Sequence, residues 1–375
     1  MDGTVYVLGA GASHGDTLRF HAGYKGDSAE APPNPPLTNQ FFHKDYLIDT
    51  PEEVERDYSL LVTHIRNHWG IEKPLGKAPW ASLSIEEVFT SIATESDFSP
   101  AGTSEKARAQ IRLNVLLRYI RRRLAHSCLF RFGVYTRVLA QSLRPEDSVL
   151  SFNYDLLMDQ ELIGEGGPLQ YQNFSAKMLG KDLFKVGKGY RPVREWLAES
   201  VAAGSISGPT GPYYGLYLKL HGSLNWFVCP SGACPRSKQL VVVSSIEQCL
   251  GSSAIGINFQ CSYCYSELIP FLVPPLVQKP VMNDPQLRNI WGNALAVLAN
   301  AARVVVIGFS FQPSDFYAAW LFRRALERRK DIRISVVNPL NKKQRFGERM
   351  RSIFVNGYDD SLQTFDQVHE AIKRL

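Results

Sequence analysis

Thr4-Val5-Tyr6-Val7-Leu8-Gly9-Ala10-Gly11-Ala12-Ser13 is the stretch that decides the fold. A short apolar run breaking into Gly-x-Gly reads as a buried strand entering a tight turn at the start of a helix. Such a turn lets backbone N–H groups approach a pyrophosphate, helped by the positive end of the helix dipole. Alone, the turn is weak evidence. Gly15 arrives one residue late for the third glycine of a dinucleotide fingerprint, and His14 stands in that place. No acidic residue closes a second strand about 20 residues on, where a ribose ligand is expected.

Further apolar runs of strand length follow at Val149–Phe152, Tyr217–Leu220, Leu240–Val243, Val304–Ile307 and Ile332–Val337. Helical patterns lie between them, most clearly Glu105–Leu124, Leu287–Ala302 and Ser314–Arg329. This alternation predicts an α/β fold: a Rossmann-like, mostly parallel sheet with helices on both faces. In such sheets ligands bind beyond the carboxyl ends of the strands, where Gly9, Asn153, His221, Gly308 and Asn338 all fall. Residues 50–145 break the alternation and are expected to form an inserted helical module. Gly23–Pro36 and Ala202–Tyr214 are rich in Gly, Pro or Ser and read as loops.

Composition fits a globular chain of 375 residues, 45% hydrophobic and 21% charged. The longest apolar stretch, Ala294–Val306, contains Asn300 and Arg303 and is too short and too polar to span a bilayer. No basic-then-apolar leader precedes the first strand, so a cytoplasmic location is expected. The net charge of +6 is mild. Its basic runs, Arg118-Tyr119-Ile120-Arg121-Arg122-Arg123 and Arg323-Arg324…Arg328-Arg329-Lys330, sit in helical patterns. They read as solvated faces or subunit contacts, and direct nucleic-acid binding is not expected. Among six cysteines, Cys229-x4-Cys234 and Cys261-x2-Cys264 form two close pairs. In a reducing compartment such pairs suit structural zinc in a ribbon-like module over residues 225–268, although the spacings leave a metal-free ribbon open.

Five segments in order resemble the sirtuin (SIR2) superfamily. Gly9-Ala10-Gly11-Ala12-Ser13 is similar to its phosphate turn, and Ser151-Phe152-Asn153-Tyr154-Asp155 to its Thr-Gln-Asn-Ile-Asp strand end. Lys219-Leu220-His221-Gly222 matches its His-Gly and precedes the cysteine pairs, as in that family. Gly308-Phe309-Ser310 resembles the Gly-Thr-Ser turn, and Val337-Asn338 the late Asn. Phe152 replaces the family's Gln. The peptide-pairing Phe-Gly-Glu is replaced by a run from Ile269 to Pro280 in which Pro274 and Pro275 lack N–H donors. These departures resemble the SIR2-like proteins of bacterial anti-phage systems, which degrade NAD.

The resemblance implies one SIR2-like domain over residues 1–375, NAD+ as substrate and an NAD+ glycohydrolase activity in defence. His221 would be general base, Asn153 would orient the water or ribose, and Asp155 would hold the nicotinamide carboxamide. Gly9, Ala10, Gly11, Ala12, Ser13, Gly308, Phe309 and Ser310 would serve the phosphates, and Asn338 the adenosine ribose. Cys229, Cys234, Cys261 and Cys264 would bind Zn2+. A homo-oligomer and a separately encoded activator, an ATPase or a nucleic-acid-guided protein, are implied as well. The rival readings are an NAD-dependent lysine deacylase and a non-catalytic NAD or ADP-ribose sensor. At the residue level, Asn153 and Asp155 also suit helix caps, and His221 a structural histidine.

Overall fold

The computed structural model describes residues 3–20, 33–47, 49–128, 131–144, 146–163, 216–237, 240–242, 259–273 and 285–373. The loop expected at Ala202–Tyr214, most of the Gly23–Pro36 loop and the Pro274-Pro275 pair lie outside them. Five strands, β1 (Thr4–Leu8), β4 (Ser148–Ser151), β5 (Tyr217–Lys219), β9 (Arg303–Ile307) and β10 (Arg333–Val337), form one sheet in the order β10-β9-β1-β4-β5. Every pairing in it is parallel. The chain leaves β1 for β4 on one side and later returns to β9 on the other. The strand order therefore reverses beside β1, the place where open α/β sheets bind ligands.

Alternation along the strands explains the layers. Val5 and Val7, with Val304, Val306, Ile334 and Val336, face helices α8 (Pro285–Asn300), α9 (Phe316–Leu326) and α10 (Gln344–Ile353). Tyr6 and Leu8, with Val149, Val305 and Ile307, face α6 (Val134–Ser142), α7 (Leu157–Ile163) and α11 (Phe365–Lys373). Strands buried on both faces need the continuous apolar runs seen in the sequence. The expected three-layer α/β fold is the observed one.

Helices α2 (Pro51–Asp57), α3 (Ser59–Trp69), α4 (Ile85–Phe98) and α5 (Ser104–Cys128) build the helical insert around Ile65, Trp80, Val88, Ile92 and Leu116. Capping boxes at Thr50/Glu53 and Ser84/Glu87 start α2 and α4. The insert's own core ends with α5, since α6 packs on the sheet through Leu139 and Ala140. Between insert and sheet, β2 (Leu18–Phe20) pairs antiparallel with β3 (Arg131–Gly133).

A second small sheet, order β7-β6-β8, joins β6 (Gly222–Val228), β7 (Leu240–Val242) and β8 (Ile269–Leu272) in antiparallel pairs. Of the Leu240–Val243 run, Leu240–Val242 is thus a strand of this sheet and not of the parallel one. Within it Val241 packs on the cysteine cluster while Leu240 reaches the main core, a division that sequence periodicity alone does not show.

Candidate functional site

The turns after β1 and β9 interlock. Gly9 N–H donates to Ile307 O at 3.0 Å, Gly11 N–H to Gly308 O at 2.9 Å, and Gly308 N–H to Val337 O at 2.9 Å. Gly308 has φ +62°, and a Cβ there would lie 2.1 Å from the Ala12 nitrogen. A Cβ on Gly9 would lie 2.5 Å from Phe309 Cα. Glycine is required at both places because two backbones touch. The amides of Gly11 and Ala12 are both engaged inside the protein, Ala12 N–H on Gly9 O.

Asn153 follows β4 and closes the same knot. Its Nδ2 donates to Gly9 O at 3.0 Å and to Ser13 Oγ at 2.9 Å. Because a backbone carbonyl only accepts, this contact fixes which end of the amide faces the turn. The other end, Oδ1, is buried without a hydrogen-bond partner. Ser13 gives its hydroxyl proton to Asp155 Oδ2 at 2.7 Å, so it turns toward β4 and not outward to a phosphate. Asp155 also accepts from Leu157 N–H at 3.1 Å, the capping contact that begins α7. Both carboxylate oxygens are thereby engaged, and burial pushes the acid above its ordinary range, opposed by Lys219. Asn338 is buried with Oδ1 accepting from Leu340 N–H at 3.0 Å. Ser310 is half-buried, and its carbonyl accepts from Arg349.

His221 stands just past β5. Its ring meets Phe152 edge-on at 5.0 Å and Trp291 at 6.3 Å, and Phe152 stacks on Phe309 at 4.2 Å. These aromatics join the end of β5 to the ends of β4 and β9. Only 4% of His221 is exposed. Gly222, at φ +81°, lets β6 run against β8, since a Cβ there would strike Phe271 O at 2.3 Å. Residues 9, 153, 221, 308 and 338 therefore do gather at one edge of the sheet. His14 lies beside them, half-buried, with Nδ1 3.0 Å from Pro35 O.

Two charged groups at the site escaped the sequence reading. Asp315 places Oδ1 3.4 Å from His221 Nε2. Lys219, buried in β5, donates to Asp159 Oδ2 at 2.9 Å and to the Asp155 carbonyl at 2.5 Å. A lysine inside the apolar Tyr217–Leu220 run was a legible signal, because a buried ammonium demands a partner. Asp315 gave no local signal. A separate cavity of about 440 Å³ lies on the helical insert, lined by Ser59, Thr63, His64, His68, Glu95 and Arg112 among others.

The four cysteine sulfurs of the small sheet lie within 4.8 Å of one another, with Cys229–Cys264 at 3.5 Å and Cys234–Cys261 at 3.8 Å. Bonds of about 2.3 Å from a tetrahedral zinc would set its sulfurs about 3.8 Å apart, so the donor set fits that ion. The Ser266 hydroxyl and backbone N–H bring Cys264 down to about 6, toward the thiolate a metal takes, whereas burial pushes Cys229 up to about 12.

The basic run of α5 corrects the expected solvated face. Tyr119 is buried and donates to Phe41 O at 2.7 Å. Arg118 pairs with Glu267 and Arg122 with Asp49. Arg121 lies over Phe227 at 5.0 Å, and Arg123 is buried 5.9 Å from the Tyr119 ring.

Neither a protein-family model nor a curated protein sequence matches the chain. Among solved structures it is similar to one described as "Structural Basis for the Mechanism and Regulation of Sir2 Enzymes". The identity is 11% and the TM-score 0.39, over 77% of this chain and 97% of that one. At that likeness, function rests on the site itself. Among the described residues, no helix is long and apolar enough to cross a membrane.

Proposed function

We propose that this protein hydrolyses the nicotinamide–ribose bond of NAD+, giving nicotinamide and ADP-ribose, as the effector of an anti-phage defence system. The observation that carries the reading is Asn153 Oδ1, a buried acceptor held rigidly by Gly9 and Ser13 and left without a donor. Such an atom costs about 1–3 kcal/mol unless something donates to it, and a ribose hydroxyl or the attacking water is a fitting donor. His221, whose ring meets that of Phe152, the residue before Asn153, takes the proton released as water adds to the ribosyl carbon. The turns after β1 and β9 shape the pyrophosphate side and Asn338 serves the adenosine ribose, while Asp155, engaged by Ser13 and Leu157, braces the turn. Cys229, Cys234, Cys261 and Cys264 hold a structural zinc, and four thiolates leave it no open position for chemistry.

Hydrolysis is favoured over lysine deacylation by the strand on which a peptide would have to add. Among the described residues β8 is an edge strand, and it carries Pro270, which has no N–H to offer a peptide carbonyl. The burial of Asn153, His221 and Asn338 fits an effector kept silent until a second copy or a separately encoded activator opens it. Incubation of the purified chain with NAD+, with and without an acetylated peptide, tests the proposal. Nicotinamide release without peptide, abolished in His221→Ala, is the expected result. Release only with peptide makes the chain a deacylase, and tight NAD+ binding without turnover in any oligomeric form makes it a sensor.

A further inference from the structure

We propose that Asp315 is the positioning residue for His221, holding the imidazole through Nε2 so that Nδ1 exchanges the proton in the reaction. The inference rests on the reading of His221 as general base. Its geometry is a carboxylate oxygen 3.4 Å from a ring nitrogen, with both side chains 5% exposed. Asp315 occupies the N-cap position of α9, where an aspartate normally binds its own helix, yet its side chain makes no capping bond. The carboxylate is turned to the histidine instead. Its backbone is fixed by its N–H on Gln312 O at 2.8 Å, and the preceding Ser314 hydroxyl by Glu86 Oε2 at 2.5 Å. The ring it faces is clamped between Phe152 and Trp291, whose Nε1 donates to Leu220 O at 3.1 Å.

In this low-dielectric setting a fixed carboxylate acts on the ring twice. It selects the tautomer with the proton on Nε2, and it stabilises the imidazolium that forms when Nδ1 takes a proton from water or a ribose hydroxyl. The step balances: water and NAD+ give nicotinamide, ADP-ribose and a proton, which resides on His221 before leaving to solvent. Among the described residues the other titratable groups on this side are Tyr154, 6.3 Å from the ring, and Glu86, tied to Ser314 beside Asp315. Burial raises the Tyr154 phenol far above its ordinary value, so it stays neutral. Glu86 adds a second, more distant negative charge of the same sign of effect as Asp315.

The test uses the full chain with Asp315→Asn, which keeps the shape and removes the charge, beside Asp315→Ala. Nicotinamide release is followed against pH, and the His221 ring is followed by NMR of protein labelled at histidine, its signals assigned with His221→Gln. Asp315→Asn is expected to keep KM within about twofold, lower kcat about 100-fold or more, and move the acid limb of the profile to lower pH by about one unit or more. The NMR titration of His221 should move with it, and the Nε2-protonated tautomer should be lost. A merely structural role would lower folded yield without moving either titration. An unchanged profile and unchanged tautomer in Asp315→Asn overturn the proposal. If the native chain leaves NAD+ intact, the hydrolase reading fails while the NMR arm still decides whether Asp315 sets the state of His221.

Discussion

Asp155 and Asn153 show how much depends on which atom of a side chain is engaged. Burial of Asp155 outweighs Lys219, the Ser13 hydroxyl and the Leu157 N–H, all of which favour the carboxylate, so its proton is held more tightly in the folded chain than in the unfolded one. The sign follows from linkage: the folded state keeps a proton that the unfolded state has released, so stability declines as pH rises through that interval. The window opens at the ordinary aspartate value of 3.8 and ends at the raised folded value. Asp155→Asn keeps an acceptor for Leu157 N–H and removes the titration. Urea denaturation over the acid range should therefore show a smaller decline with rising pH in the variant than in the native chain. Equal slopes would mean that Lys219 cancels the cost of burial. Asn153 behaves differently, because its amide is fixed by Gly9 O. Asn153→Asp sets a carboxylate oxygen against that carbonyl and should cost about 2–4 kcal/mol in the same assay.

At the level of elements, two glycines with the same backbone angle separate close contact from conformational strain. Gly308, after β9, and Gly70, which ends α3, both have φ +62°, but a Cβ on Gly70 would meet nothing within 4 Å. Gly70→Ala should cost about 1–2 kcal/mol, the left-handed penalty alone. Gly308→Ala adds a collision with the Ala12 nitrogen and should cost about 2–5 kcal/mol, with the turn after β1 displaced. Parallel urea titrations of both variants give the comparison, and equal losses would refute the interlock. The sequence carried these elements unevenly. The five core strands were legible because burial on both faces leaves unbroken apolar runs, and α5, α8 and α9 because their apolar residues recur on one face. Leu240–Val242 falls within residues 225–268 and pairs with β6; a short apolar run does not by itself say which sheet it joins. Asp315 passed unmarked within the predicted helix Ser314–Arg329; its partner, His221, follows a different strand, and no local pattern links the two.

At the scale of the whole molecule, the small sheet is a strut between the insert and the strand end that bears His221. Arg121 of α5 lies over Phe227 and Phe259 of the small-sheet module, at 5.0 and 5.6 Å, and Arg118 of the same helix pairs with Glu267. That is why the basic run of α5, read in isolation as a solvated face, is largely consumed inside the protein. The module's own core is small, with Phe227 and Leu268 packed against Cys229, Cys234 and Cys261. So little apolar burial does not hold an antiparallel sheet of short strands by itself, and metal ligation would supply the rest. Because β6 begins at Gly222, one residue after the imidazole, disorder in this module should reach the site. Elemental analysis is expected to find one zinc per chain, and Cys261→Ser should remove it. The same substitution should lower the melting temperature by about 5 °C or more. It should also depress nicotinamide release without altering the residues that line the candidate site. A chain purified free of metal, melting as before and unaffected by Cys261→Ser, would show that packing on α5 alone holds the module in place.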